Sequence, residues 1–72
     1  MKYNVNNIIN YPVPGVVFGV EDNVVPTSAR IIHIYNNIKC EDGIIVDMEL
    51  IDKPHIKQIT GKLLFSENYF SK

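Results

Sequence analysis

Apolar and polar residues alternate with a period of two along residues 30–40 (RIIHIYNNIKC) and 44–52 (IIVDMELID). Successive side chains of a strand point to opposite faces, so this alternation predicts two half-buried strands joined at Glu41-Asp42-Gly43. A three-residue loop with Gly43 in the left-handed region pairs Cys40 with Ile44, Ile38 with Val46 and Ile34 with Leu50. That register gathers Ile32, Ile34, Ile38, Cys40, Ile44, Val46, Met48 and Leu50 on a core face. His33, Tyr35, Asn37, Lys39, Asp47 and Glu49 fall on the other face, interspersed with Ile31, Ile45 and Ile51. A two-residue Asp42-Gly43 loop mixes the two sets.

The flanking patterns are less regular. Residues 2–10 alternate imperfectly and predict an edge-like strand. Tyr11-Pro12-Val13-Pro14-Gly15 predicts an extended linker ending in a turn, because two prolines fix φ and remove donors. Residues 16–21 (VVFGVE) predict a strand with a bulge or close backbone approach at Gly19, followed by a turn at Asp22-Asn23. Val24 and Val25 extend the pattern to Pro26, and Thr27-Ser28 breaks it. Pro54 ends the second long strand, and His55 reads as part of a solvated turn. Residues 55–70 fit a hairpin turning at Thr60-Gly61-Lys62, or a helix capped by Asp52; Gly61 and the scarcity of strong helix formers favour the hairpin. The whole reads as one domain, residues 1–72. It is all-β, a small twisted antiparallel barrel or sandwich of five to six strands. The alternative is a β-meander with a C-terminal helix.

Composition strengthens the β reading. Ile and Val fill 19 positions, whereas Leu fills 3 and Ala 1; β-branched side chains suit a pleated surface and Ala and Leu suit a helix. An apolar fraction of 46% against 21% charged residues excludes a disordered chain. A net charge of −1 supplies no basic field for duplex DNA, and the seven aromatics lack the basic groove that a single-strand platform adds. A nucleic-acid-binding small β-barrel is therefore the second functional reading. Ile, Asn, Lys, Tyr and Phe, which have AT-rich codons, make up 32 of the 72 residues. That bias points to a low-GC bacterium, a phage or a mobile element. Domains this short bury only about 60% of their unfolded surface, less than larger ones do, and Cys40 is the only cysteine, so self-association is expected as support. The single thiol, the polar start after Met1-Lys2 and the shortness of the apolar run at Val16–Val20 lead to the expectation of a cytoplasmic protein with no membrane span.

Several chemistries find no footing. Thr60-Gly61-Lys62-Leu63 resembles the end of a phosphate-binding loop, but Ile56 stands where the first glycine belongs and Leu63 where a hydroxyl belongs. Cys40 points to the core in the derived register, and His33 and His55 lack the cysteines or further histidines of a zinc site. Asp47 and Glu49, two apart on one face, read as solvent-exposed carboxylates. No catalytic residue, metal or cofactor is expected, and an enzyme is not. Two features stand above this background. Thr27, Ser28 and Arg30, in a donor-rich turn closing on the only arginine, suit an anion, with His33 beside them as a further ligand contact. Ile31, Tyr35, Ile45 and Ile51 form an apolar patch suited to a subunit interface. The expected function is that of a small non-enzymatic homo-oligomeric binding protein that inhibits a host protein or sequesters a small anionic ligand such as a nucleotide.

Overall fold

A computed structural model describes residues 2–19, 23–53, 56 and 58–70. Four strands, β1 (Ile8–Pro14), β2 (Val24–Tyr35), β3 (Gly43–Leu50) and β4 (Ile59–Leu64), pair antiparallel in chain order. The meander curls into a half-barrel. β2 is long enough to hold both neighbours: its first half pairs with β1 from Pro14↔Val24 to Ile8↔Arg30, and its second half with β3 from Ala29↔Leu50 to Tyr35↔Ile45. The concave face carries Ile9 and Val13 from β1, Ala29 and Ile31 from β2, Ile44, Val46, Met48 and Leu50 from β3, and Leu63 from β4. Burial of each large side chain contributes about 1.5–3 kcal/mol by area transfer, so this face is the main source of stability.

Tyrosines close the curl. Tyr11 on β1 donates its hydroxyl to the carbonyl of Lys62 on β4 at 3.3 Å. Its hydroxyl lies where a Cβ at Gly61 would be, 2.6 Å away, so glycine at 61 makes the seat. Burial raises the Tyr11 pKa above the usual phenol value. Beyond β4 the chain returns to β1: Phe70 bridges Ile9, the Asn10 N–H donates to the Tyr69 carbonyl at 2.7 Å, and the Tyr3 ring stacks on Phe70 at 4.9 Å. Tyr3 and Tyr69 are both buried in this seam.

Several expectations are corrected. Among the described residues there are four strands and no α-helix. The proline segment is strand, not linker. The Asn10 N–H points away from β2 to Tyr69, so the ring nitrogens of Pro12 and Pro14, two and four residues on, face the same outer side where no ladder bond is required. Gly15–Phe18 is a 3-10 turn where a strand was expected; Gly19, at φ 79°, ends it with its N–H on the Gly15 and Val16 carbonyls. Thr60-Gly61-Lys62 lies inside β4 because Gly61 accommodates Tyr11 rather than a turn. The residues joining β2 to β3 are 36–42, a longer connection than Glu41-Asp42-Gly43, which leaves Ile38 exposed and the Cys40 thiol on the Asp42 carboxylate instead of in the core. Gly43 begins β3, where a Cβ would collide with the Leu63 carbonyl. A bulge at Ile32 resets the alternation: Ile31 faces Met48 in the core and Ile34 faces Val46, so Ile31 is not outward. The readings of Val20–Asp22, Pro54 and His55 lie outside the described residues. Among the described residues no helix is long and apolar enough to cross a membrane.

Candidate functional site

The convex face of the sheet is organised in cross-strand rows. One row runs His33–Asp47–Thr60 across β2, β3 and β4, and the next runs Tyr35–Ile45–Lys62. Directly opposed and diagonal side chains on one face lie within reach of each other, and the polar groups here use that reach. Thr60 donates its hydroxyl to Asp47 Oδ1 at 2.5 Å, and Tyr35 reaches diagonally to donate to Oδ2 at 2.6 Å. Asp47 is only 8% exposed, so the expectation of a solvated carboxylate is corrected. The Thr60 and then the Tyr35 hydrogen bond hold its pKa below the usual carboxylate value, while acceptance by Asp47 raises that of Tyr35. The carboxylate therefore stays ionised and the phenol protonated. A base made weaker and an acid made weaker form a locked pair, not a proton relay. His33 is exposed and packs edge-on to the Tyr35 ring, with centroids 4.5 Å apart at 82°.

The expected anion contacts are not assembled into one site. Thr27 lies within β2 rather than in a turn; it is buried, and its hydroxyl donates to the Val25 carbonyl at 2.8 Å. Ser28 is half-buried, with its carbonyl accepting from the Ile51 N–H at 2.9 Å. Arg30 faces outward, but its Nε donates to Glu49 Oε1 at 2.7 Å, its Nη2 lies 2.5 Å from the same oxygen, and its Nη1 donates to Asn6 Oδ1 at 2.7 Å. Asn6 sits at φ 77° and its N–H bonds the Ile31 carbonyl at 2.7 Å. Arg30 thus ties the N-terminal segment to β2 and β3. Of the expected interface residues, Tyr35 and Ile45 are paired and half-buried on the convex face, Ile51 is exposed just past β3, and Ile31 is in the core.

Concave surface is found at the end of the sheet where β2 turns into β3. A groove of about 350 Å³ is lined by residues 36 and 38–41 together with Tyr35, Gly43, Ile44 and Phe65. Ile38 and Phe65 in its lining are 47% and 52% exposed. Asn36 is shared with a second groove of about 640 Å³, bounded by Tyr3, Asn4, Val5, His33 and Ile34. Beside the first groove Asp42 accepts from Cys40 Sγ at 3.3 Å and pairs with Lys62 Nζ at 2.6 Å. Lys62 and then Cys40 lower the Asp42 pKa, and Asp42 raises that of Lys62. Among the described residues no cluster of three histidine, cysteine or acidic side chains has the arrangement of a metal site. The sequence hid the contributions of Ile38, Phe65, Thr60 and Asn6. Ile38 continues the β alternation and so reads as internal, the pattern around Thr60 and Phe65 reads as a hairpin turning at residues that instead lie inside β4, and Asn6 carries no motif. A scan against family models, a search of curated proteins and a search of solved structures each found no match for the chain.

Proposed function

We propose that the chain is a small non-enzymatic binding protein that works as a homo-oligomer. The observation that carries this reading is the groove at the β2–β3 end of the sheet, flanked by Ile38 and Phe65 side chains half open to solvent. Exposed apolar side chains around a concavity are the usual mark of a protein contact. The convex-face polar groups point the same way: Asp47 and Arg30 are occupied by neighbouring side chains and serve as struts. Of the two roles for such a protein, inhibition of a host protein fits better than sequestration of a small anion such as a nucleotide, because the one arginine already has a carboxylate and an amide as partners. Native mass spectrometry of the purified protein is the test. A homo-oligomer without bound nucleotide is expected; a monomer that carries a co-purified nucleotide overturns the reading.

A further inference from the structure

We propose that the loop at residues 36–42 and the groove beside it form a two-fold interface with a second copy of this chain. The proposal rests on the homo-oligomeric reading above and assigns its surface. Three observations select the occupant. Strand addition is obstructed at both sides of the sheet, by Pro12, Pro14 and the returning segment at β1, and by tyrosine hydroxyls on the Lys62 carbonyl and the Leu64 N–H at β4. A partner is thereby directed to a face or an end. At this end Ile38 and Phe65 are exposed beside a groove that they themselves line, so each copy offers both the apolar side chains and the concavity.

The charges supply the symmetry. Lys39 and Glu41 flank Cys40 on the loop, both exposed, and neither joins an ion pair among the described residues. In a two-fold interface, when residue i meets residue j of the partner, j also meets i. An axis passing near Cys40 therefore brings Lys39 of each copy to Glu41 of the other, matching opposite charges twice. Two opposite charges either side of one point are complementary to their own image after rotation, which is what a second copy supplies.

Analytical ultracentrifugation of the full chain over a concentration range tests the surface, using Lys39→Glu, Glu41→Lys and the double reversal. Like charges brought together across an interface are strongly unfavourable, so each single reversal is expected to weaken the dimer about tenfold or more. The double reversal restores opposite charges and is expected to return affinity to within about threefold of wild type. Ile38→Asp is expected to abolish the dimer; if that variant misfolds by circular dichroism, the exposed loop charges decide alone. A wild-type monomer overturns both this interface and the homo-oligomeric reading. A wild-type oligomer indifferent to all three charge variants overturns this interface and leaves that reading standing.

Discussion

The sheet has two edge strands, and they are closed by opposite means. At β1 the chain deletes donors: Pro12 and Pro14 carry no N–H on the outer side, and residues 69–70 cover the stretch before them. At β4 the backbone groups remain and are occupied instead, the Lys62 carbonyl by Tyr11 and the Leu64 N–H by Tyr69 Oη at 3.3 Å. Deletion is local and independent of the rest of the fold. Occupation works only while the seam between the two edges is intact, because the tyrosines reach across it. Closure at β4 is thus coupled to global stability, as is the cover that residues 69–70 give the start of β1, whereas closure at Pro12 and Pro14 is not.

The largest expected effect comes from breaking the seam itself. Tyr69→Ala removes a buried ring that packs near Tyr3 and Tyr11, together with the acceptor for the Leu64 N–H. Loss of a buried aromatic costs about 3–5 kcal/mol, a large part of the stability of so small a domain, and a urea titration is expected to show that drop. Gly61→Val ranks next. Its Cβ alone reaches Tyr11 Oη and comes within 3.2 Å of Met48 Cε, so Tyr11 must leave its seat, at an overpacking cost of about 1–3 kcal/mol. An unchanged urea midpoint would show that Tyr11 is not held there.

A smaller effect separates the edges by pH. The Tyr11 pKa is raised on folding, chiefly by burial, so its contribution is complete below the unfolded value near 10 and is lost as pH rises through the higher folded value. Tyr35 is also raised, by its bond to Asp47, so the comparison needs Tyr35→Phe as well. Tyrosinate absorbance against pH is expected to lose its late-titrating component in two steps, one with each variant. Tyr11→Phe should cost about 0.5–1.5 kcal/mol, the usual worth of one hydrogen bond, and should leave the β1 side protected from amide exchange. The smallest change in stability is expected for Pro12→Ala, within about 1 kcal/mol, since the restored N–H faces outward. Its signature is association: light scattering should rise more for Pro12→Ala than for Tyr11→Phe at equal folded fraction. The reverse order would show that β4 is the more vulnerable edge.

The same contrast explains what could be read from the sequence. The inner row of β3, from Ile44 to Leu50, is legible because the bulge lies in β2 and the alternation along β3 itself is unbroken. The outward position of His33 and Tyr35 is legible because both lie on the same side of the bulge, so the alternation between them is unbroken. Ile31 was misplaced because Ile31, Ile32 and Ile34 are all isoleucines, so the sequence bears no mark of where the bulge resets the faces. Pro12, Pro14 and Gly61 have the local habits of strand breakers. Their actual roles depend on which side of a strand faces a neighbour and on a tyrosine arriving from far along the chain. The site residues were obscured for a similar reason: Arg30 looked free because Glu49 and Asn6 are remote in sequence, and Asp47 looked solvated because its covering hydroxyls come from two other strands.

The return of residues 69–70 to β1 has a further consequence in time. A polypeptide is made from its N-terminus, so β1 exists well before the segment that covers its outer edge. Contacts between segments so distant in sequence form late, and an uncovered strand in the interval invites pairing with other nascent chains. Pro12 and Pro14 are in place from the moment they are synthesised. They protect the growing chain during the interval in which Tyr69 and Phe70 have yet to be added.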